Sequence, residues 1–328
     1  MKYYTSANTS SGFVDFTEEN IFDVKKKIEL KSSSFHIRNL VLRLAFEYKD
    51  KECEQIIKAG SKDILEGIVL NNRETAIVKS CENAYKTINL DNFFGVPEYN
   101  PKTKYLYECM YNCFYEAKLI HDKWERIYIE NMDFNRLENY TDEVISKIAI
   151  KKSEHGGSKT YKRFFGSITD SENVNFIDDL TENLNKRYFI KGRPGTGKST
   201  FLKKLSKALK ENGFDVEEYY CSFDKESLDM VVSRELSVCV FDSTSPHEKF
   251  PQRESDEILD FYVNSGLEGV DEKYEKELFN IKASYDLKVR EGKSFFKIVS
   301  ELKEASEKQM LSKVKDDDLA NIIKNIFN

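Results

Sequence analysis

The stretch GRPGTGKST, Gly192 to Thr200, brings together the residue types that phosphate chemistry requires, at the spacing it requires. Gly192, Arg193, Pro194, Gly195, Thr196, Gly197, Lys198 and Ser199 satisfy G-x-x-x-x-G-K-[ST], the P-loop pattern. Its glycines permit backbone angles that turn successive N–H groups inward, making a concavity that fits phosphate oxygens. Lys198 is expected between the β- and γ-phosphates of a nucleotide, Ser199 on Mg²⁺ through its hydroxyl, and Thr200 on the α-phosphate side. A second signal is LSVCVFD, Leu236 to Asp242, an apolar strand closing on a carboxylate in the Walker B manner. Asp242 would reach the metal shell through water. Beyond that strand, Glu248 is a candidate to orient an attacking water and His247 to sense the γ-phosphate. Arg193 and Arg253 are candidates to neutralise charge on the transferred group, and Asp224 to hold an acceptor.

These groups need a strand and a helix to place them. Tyr188, Phe189 and Ile190 form a short apolar run suited to a buried strand, and Phe201, Leu202, Leu205 and Leu209 follow at helical spacing. The loop therefore opens a helix whose N-terminal dipole faces the phosphates. VEEYYCSF, Val216 to Phe223, reads as a further strand and SLDMVV as the start of a connecting turn or helix. Cys221 and Cys239 lie in apolar, strand-like runs where cysteine acts as a small hydrophobe. Cys109 and Cys113, with His121 beyond, lie on an amphipathic helix face without an evident fourth ligand, so packing is the expected role rather than zinc.

The same order of features occurs earlier in the chain. KYYTSANTSSGFVDF (Lys2 to Phe16) has the shape of RFFGSITDSENVNF (Arg163 to Phe176), and IELKSSSFHIRNLVLRLAF (Ile28 to Phe46) lies over YFIKGRPGTGKSTFLKKLS. SKDILEGIVL (Ser61 to Leu70) lies over FDKESLDMVV, and ETAIVKS (Glu74 to Ser80) over LSVCVFDS. The chain thus reads as two copies of one unit, a repeat that has to be recognised before a fold is named. In the first copy the loop glycines are gone, Arg38 stands at the place of Lys198 and Lys79 at that of Asp242. Bulky side chains do not readily take left-handed angles, so no phosphate cradle is expected there.

The expected architecture is α/β: two P-loop NTPase-like, doubly wound, mostly parallel modules, each followed by a helical segment. Residues 1–152 would form the degenerate module, with a helical insertion over 103–150 packing as a hairpin against its own unit. A charged, glycine-containing linker spans 153–160, and the intact module with a helical tail spans 161–328. With 51 basic and 57 acidic residues, the net charge of −6 argues against a general nucleic-acid grip. The start MKYYTSANTS lacks the apolar core of a signal peptide and no run suffices to span a bilayer, so a cytoplasmic location without membrane contact is expected.

With both units in view, the chain resembles a poorly characterised bacterial family of tandem P-loop ATPases. The likeness rests on GRPGTGKSTFLKKL, YYCSFDKESLDMV, VFDSTSPHEKFPQR with the following DEILDFY, and YEAKLIHDKWERIYIENMDF. It implies ATP binding and hydrolysis and says little about a substrate; the residues themselves add Mg²⁺ as cofactor, at Ser199 and Asp242, and point to the second unit. The first unit departs from the family pattern by losing its P-loop. Two other readings stand beside an ATPase or ATP-controlled switch: a small-molecule or nucleotide kinase, and a nucleotide-binding interaction protein with negligible turnover. No N-K-x-D segment selects guanine and no L-S-G-G-Q segment marks a transporter ATPase.

Overall fold

The computed structural model describes residues 1–49, 53–312 and 314–328. From the amino terminus come β1 (Lys2–Tyr4), the hairpin β2 (Ser6–Thr9) and β3 (Gly12–Asp15), α1 (Thr17–Ile21), β4 (Lys26–Lys31) and α2 (Phe35–Lys49). Then follow β5 (Glu54–Ile57), β6 (Leu65–Leu70), β7 (Thr75–Val78), β8 (Lys86–Asn89) and α3 (Asp91–Phe94). Two helices, α4 (Lys102–Asn131) and α5 (Phe134–Ile148), lead onward. The second half runs β9 (Thr160–Phe164), the hairpin β10 (Gly166–Ile168) and β11 (Asn173–Asn175), α6 (Ile177–Thr181), β12 (Lys186–Lys191) and α7 (Lys198–Glu211). It continues through β13 (Val216–Tyr220), β14 (Leu228–Ser233), β15 (Val238–Asp242), β16 (Glu257–Asp260) and α8 (Phe261–Asn264), and ends in α9 (Val270–Lys273), α10 (Glu275–Leu311) and α11 (Asp316–Phe327).

Twelve strands form one α/β sheet in the order β16-β12-β15-β14-β13-β9-β1-β5-β6-β7-β4-β8. Read outward from the central β9–β1 contact, both halves have the same connectivity. That contact is antiparallel and pairs Tyr4 with Phe164, so the halves are joined edge to edge rather than as two separate sheets. Six neighbouring pairs in this sheet are parallel and five antiparallel. The sheet is therefore mixed, because each half contains an antiparallel meander where a doubly wound fold would have helical crossovers. SLDMVV enters that meander: Leu228 to Val232 lie in β14, not in a turn or helix. β-branched valines and full burial favour a strand there over the helical reading.

α2 and α7 cover one face of their respective halves, packing Ile37, Val41 and Leu42 in the first and Phe201, Leu202 and Leu205 in the second. The opposite face is covered around the centre by the shorter α1 and α6, through Ile21, Ile177 and Leu180. The long helices do not pack as a hairpin against their own half. Leu137, Val144 and Ile148 of α5 join the core around Phe201 and Ile190, and Leu319, Ile322, Ile323 and Ile326 of α11 join that around Ile28 and Val41. Each half thus sends a helical arm to cover the other. The two arms lie antiparallel, with Tyr107 against Phe296 at one end and Trp124 against Tyr285 at the other. No helix among the described residues is long and apolar enough to cross a membrane.

A buried ionic network ties the halves together at the centre. The Arg163 side chain, only 2% exposed, pairs with Glu54 at 2.9 Å and Glu217 at 3.2 Å and donates to Asn20 at 2.7 Å. Burial alone would raise the Glu217 carboxyl, but Arg163 and then Arg234 outweigh it and hold it at about 2. Replacing Arg163 with Met should cost on the order of 3–5 kcal/mol at pH 7, since two carboxylates would lose their shared cation. Because the folded Glu217 pKa is depressed, its contribution is present above the ordinary glutamate range and is lost as pH falls toward 2. Urea unfolding at pH 7 and pH 3 checks both: a variant gap that does not shrink in acid would contradict this assignment.

Candidate functional site

The loop over 192–200 lies at the carboxyl end of β12, between the ends of β15 and β16, where open α/β sheets hold ligands. Gly195 and Gly197 have φ of 77° and 79°, left-handed values that a side chain would strain. Gly197 immediately precedes α7, whose first residue is Lys198. The Lys198 ammonium donates to the Arg193 carbonyl at 2.8 Å and lies 3.6 Å from the Asp242 carboxylate. Thr196 also donates to the Arg193 carbonyl, at 2.8 Å. The Ser199 hydroxyl accepts from the Leu228 amide at 2.9 Å, which brings the start of β14 against the loop.

That contact introduces a residue the sequence motifs do not contain. Asp229 follows Leu228, and it precedes the Met230–Phe241 pair of the β14–β15 ladder, as Asp242 follows it. The two aspartates therefore stand opposite one another at the carboxyl end of β15. Burial first, and the Asp242 charge second, push the Asp229 carboxyl up to about 7. Asp242 accepts from the Thr244 amide at 3.0 Å and the Thr244 hydroxyl at 2.7 Å. Ser199, Asp229 and Asp242 converge beside Lys198, an oxygen-rich donor set of the kind that suits a hard divalent cation.

The matching place in the first half is built differently. Glu66 and Lys79 flank the Gly67–Val78 pair of the β6–β7 ladder and form an ion pair at 3.3 Å. Where the second half has two carboxylates facing each other, the first has a carboxylate neutralised by a lysine of its own chain. Arg38 repeats one feature of Lys198: its guanidinium donates to the Ser32 carbonyl at 2.8 Å. Leu65 pairs with Ile57 as Leu228 pairs with Tyr220, so Glu66 corresponds to Asp229. This register is one residue away from the sequence match of SKDILEGIVL to FDKESLDMVV.

The other predicted residues are dispersed. Arg193 is bound to Asp271 at 2.6 Å and stacks over Tyr262, so touching a phosphate would require that pair to open. Glu248 is half exposed and pairs with Lys191 at 3.2 Å. His247 is partly buried, edge-on to Phe165, and desolvation lowers its pKa to about 4. Arg253 donates to the carbonyls of Leu184 and Glu182, just before β12 and therefore at the opposite end of that strand from the loop. It cannot neutralise a transferred group from there. Asp224 lies near the site, paired with Lys118 of α4 at 3.3 Å.

α4, arriving from the first half, covers the loop. The Glu125 carbonyl oxygen lies so close to Gly195 that a Cβ there would meet it at 2.6 Å. The same helix carries His121, Asp122 and Glu125, whose ligand atoms lie within 4.8 Å of one another. Burial, then Lys118, lowers the His121 pKa to about 4, while burial raises that of Glu125. The sequence signals only an amphipathic helix here, and helical periodicity does not disclose what the buried face meets. Cys113 packs near Gly292 of α10, in keeping with a packing role.

The chain matches no protein-family model, no curated protein and no solved structure.

Proposed function

We propose that the second half is a Mg²⁺-dependent, ATP-binding P-loop NTPase module, acting as an ATPase or an ATP-controlled switch, and that the first half is its degenerate partner. The tandem P-loop ATPase family that the sequence resembles offers the same reading. The observation that carries it is the Asp229–Asp242 pair beside Lys198 and Ser199, set against the Glu66–Lys79 ion pair at the corresponding place. Two facing carboxylates repel unless a proton or cation lies between them. In the first half Lys79 of the chain supplies that cation; in the second Lys198 reaches Asp242 at 3.6 Å, and Asp229 is left to a proton or to an ion from solution.

Ser199, Asp242 and Asp229 would hold Mg²⁺, directly or through water. Backbone N–H groups from Gly195 to Ser199 would bind phosphate oxygens, and Lys198 would exchange the Arg193 carbonyl for phosphate. The bound ion would supply charge neutralisation at the phosphates. The contribution of the chain is positioning and preorganised charge, with α4 limiting water around the loop.

Incubating the purified chain with Mg²⁺-ATP and following phosphate release and thermal unfolding tests this reading. Release from ATP alone identifies an ATPase, transfer only with an added acceptor identifies a kinase, and stabilisation without turnover identifies a switch. Neither stabilisation nor turnover at millimolar Mg²⁺-ATP would overturn the reading.

A further inference from the structure

The loop of the first half is already filled, and the group filling it belongs to the chain. With Arg38 aligned on Lys198, α2 begins three residues earlier than α7 does. Phe35, His36 and Ile37 thus form an extra helical turn where the second half has its glycine loop. Residues without glycine's freedom settle in right-handed helical angles, and a helix start replaces the nest. Ser34 caps that start, its hydroxyl accepting from the Ile37 amide at 3.1 Å.

The helix start aims its amides at one carboxylate. Glu307 of α10 accepts from the Phe35 amide at 3.2 Å and the His36 amide at 3.1 Å. The hydroxyls of Ser34 and Tyr99 donate to the same carboxylate. Glu307 is fully buried, 271 residues along the chain from His36. One turn earlier in α10, Glu304 is bonded to the His36 ring at 2.9 Å. Four converging donors around a fully buried carboxylate make the environment of a bound anion rather than of an ordinary helix-surface glutamate.

We propose that the first half retains an anion cradle at the start of α2 and that Glu307 is its resident ligand. A carboxylate from the carboxyl-terminal arm stands in for the phosphate of a functional loop and latches α10 onto the first half. The cradle suits a small oxyanion, and the chain supplies one permanently. This inference does not depend on ATP binding by the second half, and its test uses no nucleotide.

The test compares Glu307→Ala with its parent in the full-length chain, both carrying Lys198→Ala so that the second loop does not report on anions. Thermal unfolding is followed in sodium phosphate and in sodium chloride at equal ionic strength. Glu307→Ala should melt about 5 °C lower in chloride, because buried donors lose their acceptor. Phosphate should restore about half of that loss in the variant and leave the parent unmoved. Glu307→Gln keeps the cradle full but presents an amide to its donors, so it should melt lower without responding to phosphate. A Glu307→Ala melting point equal to that of the parent, or a loss that phosphate does not diminish, would overturn the proposal. If Glu307→Ala does not fold, hydrogen exchange on Glu307→Gln decides: the Phe35 and His36 amides should exchange at least about tenfold faster than in the parent, and unchanged exchange overturns it.

Discussion

Lys198→Ala is expected to abolish the thermal stabilisation that Mg²⁺-ATP confers, while Arg38→Ala leaves it intact. A ligand at a hundredfold its Kd adds about 2.7 kcal/mol to folding stability, a shift that thermal unfolding resolves easily. Lys198 is the cation placed beside both the loop carbonyl of Arg193 and the Asp242 carboxylate, so its loss should remove most of that gain. Arg38 occupies the corresponding position inside α2, one turn beyond a helix start already closed by Glu307. Its replacement should lower the melting temperature without ligand, since Arg38 is buried, yet leave the ATP increment unchanged. Equal loss of the increment in both variants would mean that the two halves share the nucleotide, contrary to the proposal.

Asp229→Asn should make the metal-free protein more stable near neutral pH and at the same time eliminate its response to Mg²⁺. The sign follows from the raised Asp229 pKa. An unfolded aspartate releases its proton near pH 4, whereas the folded pair retains one up to about pH 7. The folded state therefore binds more protons between those values, and stability falls as pH rises through that window. The interval corresponds to an upper figure of about 4 kcal/mol. The variant should lose this pH dependence, and Mg²⁺ should restore the wild type alone by supplying the cation between the carboxylates. Wild-type and variant melting temperatures measured from pH 4 to pH 8, with and without Mg²⁺, decide it. Parallel pH profiles would show that Asp229 does not titrate as described, and an undiminished Mg²⁺ response in Asp229→Asn would remove it from the metal site.

The parts legible in the sequence are those whose chemistry is local. Gly195, Gly197 and Lys198 announce a loop because backbone angle and charge are properties of single residues at fixed spacing, and the loop does sit between β12 and α7. Asp229 escaped because an almost wholly apolar strand offers no side-chain pattern to fix its register, and a shift by one residue concealed its correspondence with Glu66. The reading of SLDMVV as a turn or helix concealed it further. α4 and α5 were recognisable as amphipathic helices, but amphipathicity specifies that a face is covered and not which half covers it. Glu307 was beyond reach for a related reason: nothing near it in the chain marks it as the partner of an amide in α2.

The exchanged arms also impose an order on vectorial synthesis. Leu319, Ile322, Ile323 and Ile326 lie far downstream in the chain, yet they complete the apolar interior around Ile28 and Val41. At typical translation rates the amino-terminal strands would wait on the order of ten seconds or more, uncovered, before that helix leaves the ribosome. A nascent chain stalled before α11 should therefore be a client for chaperones, and removal of α11 should harm the first half more than the second.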